Sequence, residues 1–184
     1  LKFRAQEWLK KYPKAKALGI ASCGPLDVES GILQQPTNFP RWGSLAIAAP
    51  LSKALKLKVW MQNDAAAAAL AEGWVGGATA KTIKNWTVLT LGTGLGAGII
   101  MDRKAFMGGS GLGAEAGHMI VTDKSYSCGC GSIGCAEAVL SGSALNKRVQ
   151  ERGLPFKNSH ELIDAARRGD AKALEVFDEY IEVM

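Results

Sequence analysis

No apolar run in this chain approaches the roughly 18 residues needed to cross a bilayer, so an integral-membrane reading has no support. No secretion signal is visible, and no internal repeat or low-complexity tract occurs beyond the alanines at residues 65–69. Cysteine numbers only four. Cys128 and Cys130 are one residue apart, a spacing that bridges poorly, so a disulfide framework is disfavoured and a reducing compartment, the cytoplasm, is expected. A general basic footprint is missing too. The formal charge of +5 is accounted for by the first sixteen residues, where Lys2, Arg4, Lys10, Lys11, Lys14 and Lys16 stand against Glu7. The remainder carries sixteen basic and sixteen acidic groups. The excess reads as the solvated face of a helix through Phe3, Trp8 and Leu9 that stops before Pro13, which argues against a nucleic-acid or membrane surface.

What is present is ordinary in bulk and unusual in one place. At 184 residues and 47% hydrophobic content the chain can bury a sizeable core as one medium domain or two small ones. It opens on Leu1 and closes inside a helical pattern without a terminating glycine or proline, so a fragment of a longer protein is expected. The unusual place is Glu115 to Glu137, EAGHMIVTDKSYSCGCGSIGCAE. His118, Cys128, Cys130 and Cys135 supply one imidazole and three thiols, the ligand set of a closed tetrahedral zinc site. Gly129, Gly131 and Gly134 lie between the cysteines, where a tightly folded chain needs residues that accept positive φ. Disulfides and a catalytic thiol are the alternatives, and ligand identity and count favour the metal. Glu115 and Glu137 are not needed as ligands and are left for chemistry. Cys23, far away at a strand end, reads as a small buried hydrophobe.

The coarse pattern is α/β. Ala17 to Ser22 and Leu57 to Gln62 are short apolar runs that read as buried strands. The second ends at Asn63-Asp64, one of which is the natural N-cap of the alanine-rich helix that follows, and Ser44 to Lys56 has helical spacing. Alternation of this kind marks a parallel sheet. Beyond Gly76-Gly77 the strands Asn85 to Leu91 and Ala97 to Met101 flank Gly92-Thr93-Gly94-Leu95-Gly96, which predicts an antiparallel hairpin. Helices are expected near Ser143 to Arg152, Ser159 to Arg168 and Ala171 to Met184. The boundary between two lobes is drawn at about residues 76–84, giving segments 1–80 and 81–184.

Asp64, just past a strand and opening a helix, stands where α/β folds bind ligands and is well placed as a general base; capping is the competing explanation. Asn63 can donate to and accept from a hydroxyl-rich ligand. The glycine turn offers backbone N–H groups and a hydroxyl to anionic oxygens. It is neither a Walker sequence, since no Gly-Lys-Ser/Thr follows, nor a dinucleotide fingerprint, since a strand and not a helix comes next.

Taken in order, GIASCGPLD, the Thr37-Asn38 dipeptide, NDAAAAALAE, LTLGTGLGAGII, EAGH and CGCGSIGCAE resemble the ROK family of sugar kinases and sugar-responsive repressors, over about Ala17 to Leu145. The resemblance implies an actin-like ATPase (ribonuclease H-like) fold, with two α/β lobes around a cleft, truncated at both ends. It implies Asp64 as the base that deprotonates a sugar hydroxyl, usually at C6, as it attacks the γ-phosphate of ATP. Gly24, Thr37, Asn38 and Asn63 would hold the sugar, with Glu115, His118 and Glu137 on its hydroxyls. Gly92, Thr93 and Gly94 would face the phosphates of ATP with Mg2+. Zinc on His118, Cys128, Cys130 and Cys135 would be structural, orienting the imidazole and taking no part in phosphoryl transfer. A DxGGT-like phosphate hairpin ahead of Ala17 and part of an adenosine pocket after Met184 are absent from this sequence, so little turnover is expected of the chain alone.

The expected activity of the parent protein is ATP-dependent phosphorylation of a hexose, glucose first, with an N-acylhexosamine such as N-acetylmannosamine as the alternative substrate. A sugar-sensing repressor is the alternative from another class, with nucleic acid a partner in that case only. No membrane partner is expected, and a homodimer is compatible with the resemblance.

Overall fold

The computed structural model describes residues 1–35, 41, 43–76, 82–109 and 111–183. Its chain packs as two units, one from Leu1–Val88 with Gly98–Gly113, the other from Leu89–Ala97 with Ala114–Met184. None of the described helices is long and apolar enough to cross a membrane.

The first unit opens with helix α1 (Lys2–Lys11), which buries no residue and carries Lys10 and Lys11 in its last turn. Those two lysines stand where a helix C-terminus favours cations. Strand β1 (Ala17–Ser22) pairs in parallel with β5 (Lys58–Asn63), Ser22 lying opposite Asn63. Between them come three two-residue strands, β2 (Leu26–Asp27), β3 (Ile32–Leu33) and β4 (Leu45–Ala46), in an antiparallel set, then helix α2 (Ala48–Leu55). Leu26, Leu33, Ile47, Leu51 and Met61 form the core beneath them. The three short strands have too few residues for a period-two signal, which is why the sequence alone did not predict them. The β1 strand differs from the buried run expected of it: its residues alternate between exposed and half-buried. In a sheet of two strands one face of β1 is left without a covering layer among the described residues.

Helix α3 (Asp64–Val75) begins directly at the end of β5. Its alanines permit close approach. Ala65, Ala66 and Ala69 are buried, and a Cβ added at Gly98 would collide with Ala65 O and the Ala69 methyl. Gly73 likewise makes room for the Trp86 ring, whose Nε1–H donates to Ala69 O at 2.8 Å. A large side chain at any of these positions would force helix and strand apart.

The hairpin predicted around the glycine turn is β6 (Trp86–Leu91) and β7 (Leu95–Met101), adjacent in one sheet with the short β8 (Lys104–Ala105) beyond β7. The tight part of the turn is only Gly92–Gly94, because pairing resumes at Leu95. In the second unit the predicted helices are α5 (Gly142–Glu151), α6 (Ser159–Arg167) and α7 (Ala171–Ile181), preceded by a short α4 (Ala136–Leu140). Ser141, Asn158 and Asp170 cap the three longer helices, accepting from Ala144, Glu161 and Ala173 N–H at 3.0 to 3.1 Å. Each cap satisfies a donor that the helix leaves without a partner. Leu145, Val149, Leu162, Ala165, Ala173 and Val176 close the core between these helices.

Candidate functional site

In the first unit, the end of β5 presents Asn63 and Asp64. Asn63 is the N-cap: its Oδ1 accepts from Ala66 N–H at 3.0 Å. That uses one of the two acceptor sites of Oδ1 and leaves both N–H donors of Nδ2 for a ligand. Asp64 is exposed, and one oxygen accepts from Ala65 N–H at 2.9 Å. Capping therefore accounts for Asn63 and leaves the Asp64 carboxylate with an oxygen to spare. Gly24 belongs to the same cluster, since a Cβ there would lie 3.8 Å from Asn63 Nδ2. Thr37 and Asn38 lie outside the described residues. Cys23 is half-buried and unpaired with any other cysteine.

In the second unit, the Glu115–Glu137 segment folds into a compact loop. A 3-10 turn (Ala116–His118) leads into two isolated antiparallel bridges, Ile120 with Cys135 and Ser127 with Ile133. Gly131 and Gly134 take φ values of 92° and 78°, as the tight loop requires. Gly129 is not among the residues with positive φ. No left-handed backbone calls for glycine there, which corrects the expectation for that position.

The ligand atoms of His118, Cys128, Cys130 and Cys135 all lie within 4.8 Å of one another. Cys130 Sγ and Cys135 Sγ are 3.7 Å apart, and Cys128 Sγ is 3.6 Å from His118 Nδ1. A tetrahedral zinc with Zn–S of about 2.3 Å and Zn–N of about 2.0–2.1 Å has edges of about 3.8 Å and about 3.6 Å, so the four residues fit that ion. Their protonation chemistry fits as well. Hydrogen bonds from the backbone and then the side chain of Ser132 lower the Cys130 thiol to about 6. Burial above all pushes Cys135 up to about 12. A fully buried thiol of that kind loses its proton only to a cation placed against it.

With Nδ1 turned to the cysteines, His118 leaves Nε2 on the side of Glu115, 4.0 Å from Oε2. Both side chains are substantially exposed. Glu137, two residues beyond Cys135, accepts from Leu95 N–H through Oε2 at 2.9 Å. The glycine turn and Glu137 are thus brought together, a juxtaposition not expected from the sequence. The turn is held from another direction too: Gly142 N–H donates to Gly92 O at 2.8 Å and Ser143 N–H to Thr93 O at 3.3 Å. The N–H groups of Thr93 and Gly94 meet no acceptor among the described residues.

Arg148 is a further residue that sequence reasoning passed over. It is buried on α5 and stacks its guanidinium over the Tyr126 ring, 5.1 Å from the centroid. Its Nε and Nη1 have no hydrogen-bond partner among the described residues. The signal was a basic residue in helical step with Ala144, Leu145 and Val149 on the apolar face of α5.

The ROK family profile matches residues 5–184. The chain belongs to the ROK family. It is 35% identical to a glucokinase of Thermotoga maritima over 93% of its own length and 58% of the relative's. A solved ROK family glucokinase from Streptomyces griseus, in complex with glucose and AMPPNP, superposes with a TM-score of 0.80 at 28% identity, covering 99% of this chain and 64% of that one. A ROK family transcriptional regulator, described as a homolog of the E. coli MLC protein, superposes with a TM-score of 0.84 at 27% identity, covering 97% and 48%. This ROK chain therefore has the α/β fold of actin-like ATPases and spans less than two thirds of the length of these proteins.

Proposed function

We propose that the protein carrying this ROK chain is an ATP-dependent sugar kinase that phosphorylates a hexose, glucose first, at the C6 hydroxyl. The observation that carries the reading is the exposed Asp64 carboxylate at the end of β5, which keeps one oxygen to spare because Asn63 is the N-cap. A sensor needs affinity for sugar and no base, whereas phosphoryl transfer needs a group that takes the proton from the attacking hydroxyl.

In this reading Gly24, Thr37, Asn38 and the Asn63 amide orient the sugar, and Glu115, His118 and Glu137 accept from or donate to its other hydroxyls. The phosphoryl donor is ATP with Mg2+, its phosphates meeting the N–H groups of Thr93 and Gly94. Zinc would be held by His118, Cys128, Cys130 and Cys135 and would supply a fixed loop and a fixed imidazole tautomer. His118 Nδ1 is committed on that side, so Nε2 is the nitrogen left for a hydroxyl.

In the full-length protein, Asp64→Asn is expected to lower kcat by about 10²- to 10⁴-fold, the usual contribution of a positioned base, while hexose affinity by calorimetry is retained. Undiminished turnover sinks the assignment. Turnover on N-acetylmannosamine in preference to glucose would move the substrate and keep the mechanism. The likeness to a transcriptional regulator supports a second reading, a sugar-responsive repressor. A DNA-binding helix-turn-helix encoded upstream of this segment, with no phosphorylation by the whole protein, decides for it.

A further inference from the structure

We infer that Glu137 is a positioning residue for the phosphate turn as well as a sugar ligand, so that one carboxylate serves both substrates. The inference rests on the proposed sugar and phosphate roles of the Glu115–Glu137 segment and of Gly92–Gly94.

Leu95 is buried, 8% exposed, so its N–H needs a partner within the protein. It finds one in Glu137 Oε2 at 2.9 Å, forty-two positions away in sequence. A carboxylate acceptor makes this bond stronger than an ordinary backbone one. Gly94, the preceding residue, has no positive φ, and a Cβ there would push Glu137 Oε2 from its place beside the turn. The carboxylate thus occupies the space beside the turn and fixes the residue that follows it.

The rest of the turn has its other groups assigned. Gly92 N–H donates to Gly94 O at 3.0 Å, and the carbonyls of Gly92 and Thr93 accept from the first residues of α5. Among the described residues, the N–H groups of Thr93 and Gly94 are the backbone donors of the turn that remain for phosphate oxygens. Their direction depends on both anchors, α5 on one and Glu137 on the other. Glu137 Oε1 has no partner among the described residues and remains for a sugar hydroxyl.

The test compares wild type, Glu137→Ala and Glu137→Gln in the full-length protein. Three quantities are measured: amide exchange at Leu95 without ligand, affinity for AMPPNP with Mg2+ in the absence of sugar, and affinity for glucose. Loss of one charge-assisted hydrogen bond is expected to speed Leu95 exchange and weaken AMPPNP binding about tenfold each in Glu137→Ala. Glu137→Gln offers an amide oxygen to the same N–H and is expected to restore both to within about threefold of wild type, with glucose affinity still reduced. Wild-type exchange and AMPPNP affinity in Glu137→Ala, alongside weakened glucose binding, overturn the inference and leave Glu137 a sugar ligand alone. If wild type binds no hexose yet the Leu95 and AMPPNP effects appear, the positioning role stands and the sugar reading fails. A wild-type protein without affinity for AMPPNP overturns the role in phosphate binding.

Discussion

The metal loop and the helical core of the second unit are neighbours in sequence, and opposite means hold them together. Between α5, α6 and α7, Leu162 and Ala173 are 0% exposed and Val176 is 1% exposed, and every helix start is capped by a side chain. In the loop, Met119, Ile120 and Ile133 are 60%, 69% and 55% exposed, and only two isolated bridges cross it. Burial stabilises the helices; in the loop it comes chiefly from Cys135 and from Val121 and Tyr126, which pack against Leu95, Ala136, Val139 and Leu140. Four potential ligand atoms within 4.8 Å offer the loop a crosslink of another kind, should they take up the zinc they fit. If His118 and Glu137 bind sugar as proposed, a metal crosslink would hold them in fixed geometry without covering them.

The sharpest way to break that contrast is to strip the metal. A chelator is expected to remove about one equivalent of zinc and to open residues 122–133 to protease, since structural zinc contributes on the order of 10 kcal/mol to the fold it closes. Far-UV circular dichroism should stay nearly unchanged, because the helices do not depend on the ion. Coincident loss of helix signal would show that loop and core are one cooperative element.

Truncating the core should give the reverse result. Leu162→Ala is expected to cost about 2–5 kcal/mol, read as a fall in the denaturation midpoint of the helices, with zinc stoichiometry unchanged in the folded fraction. Zinc loss in step with stability would merge the two regions.

The smallest effect concerns the surface of the helical core. Arg152 forms two hydrogen bonds to Glu179, at 3.0 and 2.6 Å, and holds that carboxyl below the usual glutamate range. A depressed folded value means the contribution is present at neutral pH and fades as pH falls through that value. Both side chains are about one-third exposed, so Glu179→Gln is expected to cost no more than about 1 kcal/mol at pH 7. The difference from wild type should vanish in acid. A difference that grew as pH fell would contradict the assignment.

Much of this architecture was legible because it is local. The strand at Ala17–Ser22, the switch from strand to helix at Asn63-Asp64 and the three C-terminal helices follow from periodicity and caps within a few residues. The cluster of His118, Cys128, Cys130 and Cys135 was legible for a different reason: cysteine and histidine at this density have few other uses. The two-residue strands β2 to β4 were not, since each is set by a partner strand and not by its own pattern. Nor could the sequence say that the glycine at 129 keeps an ordinary φ while those at 131 and 134 do not.

By itself, then, the sequence carried the resemblance to the family, the order of the longer elements and the chemical inventory, because motifs, periodicity and residue type are read over short range. Tertiary structure decided how the inventory is spent. It turned His118 Nδ1 to the cysteines and joined Glu137 to Leu95. It also stacked Arg148 over Tyr126. Each of those facts requires a hydrogen bond, a ring or a ligand atom to come within a few ångströms of its partner. Distances on that scale are fixed only when the chain has packed, and residues forty-two positions apart carry no spacing rule that could announce it.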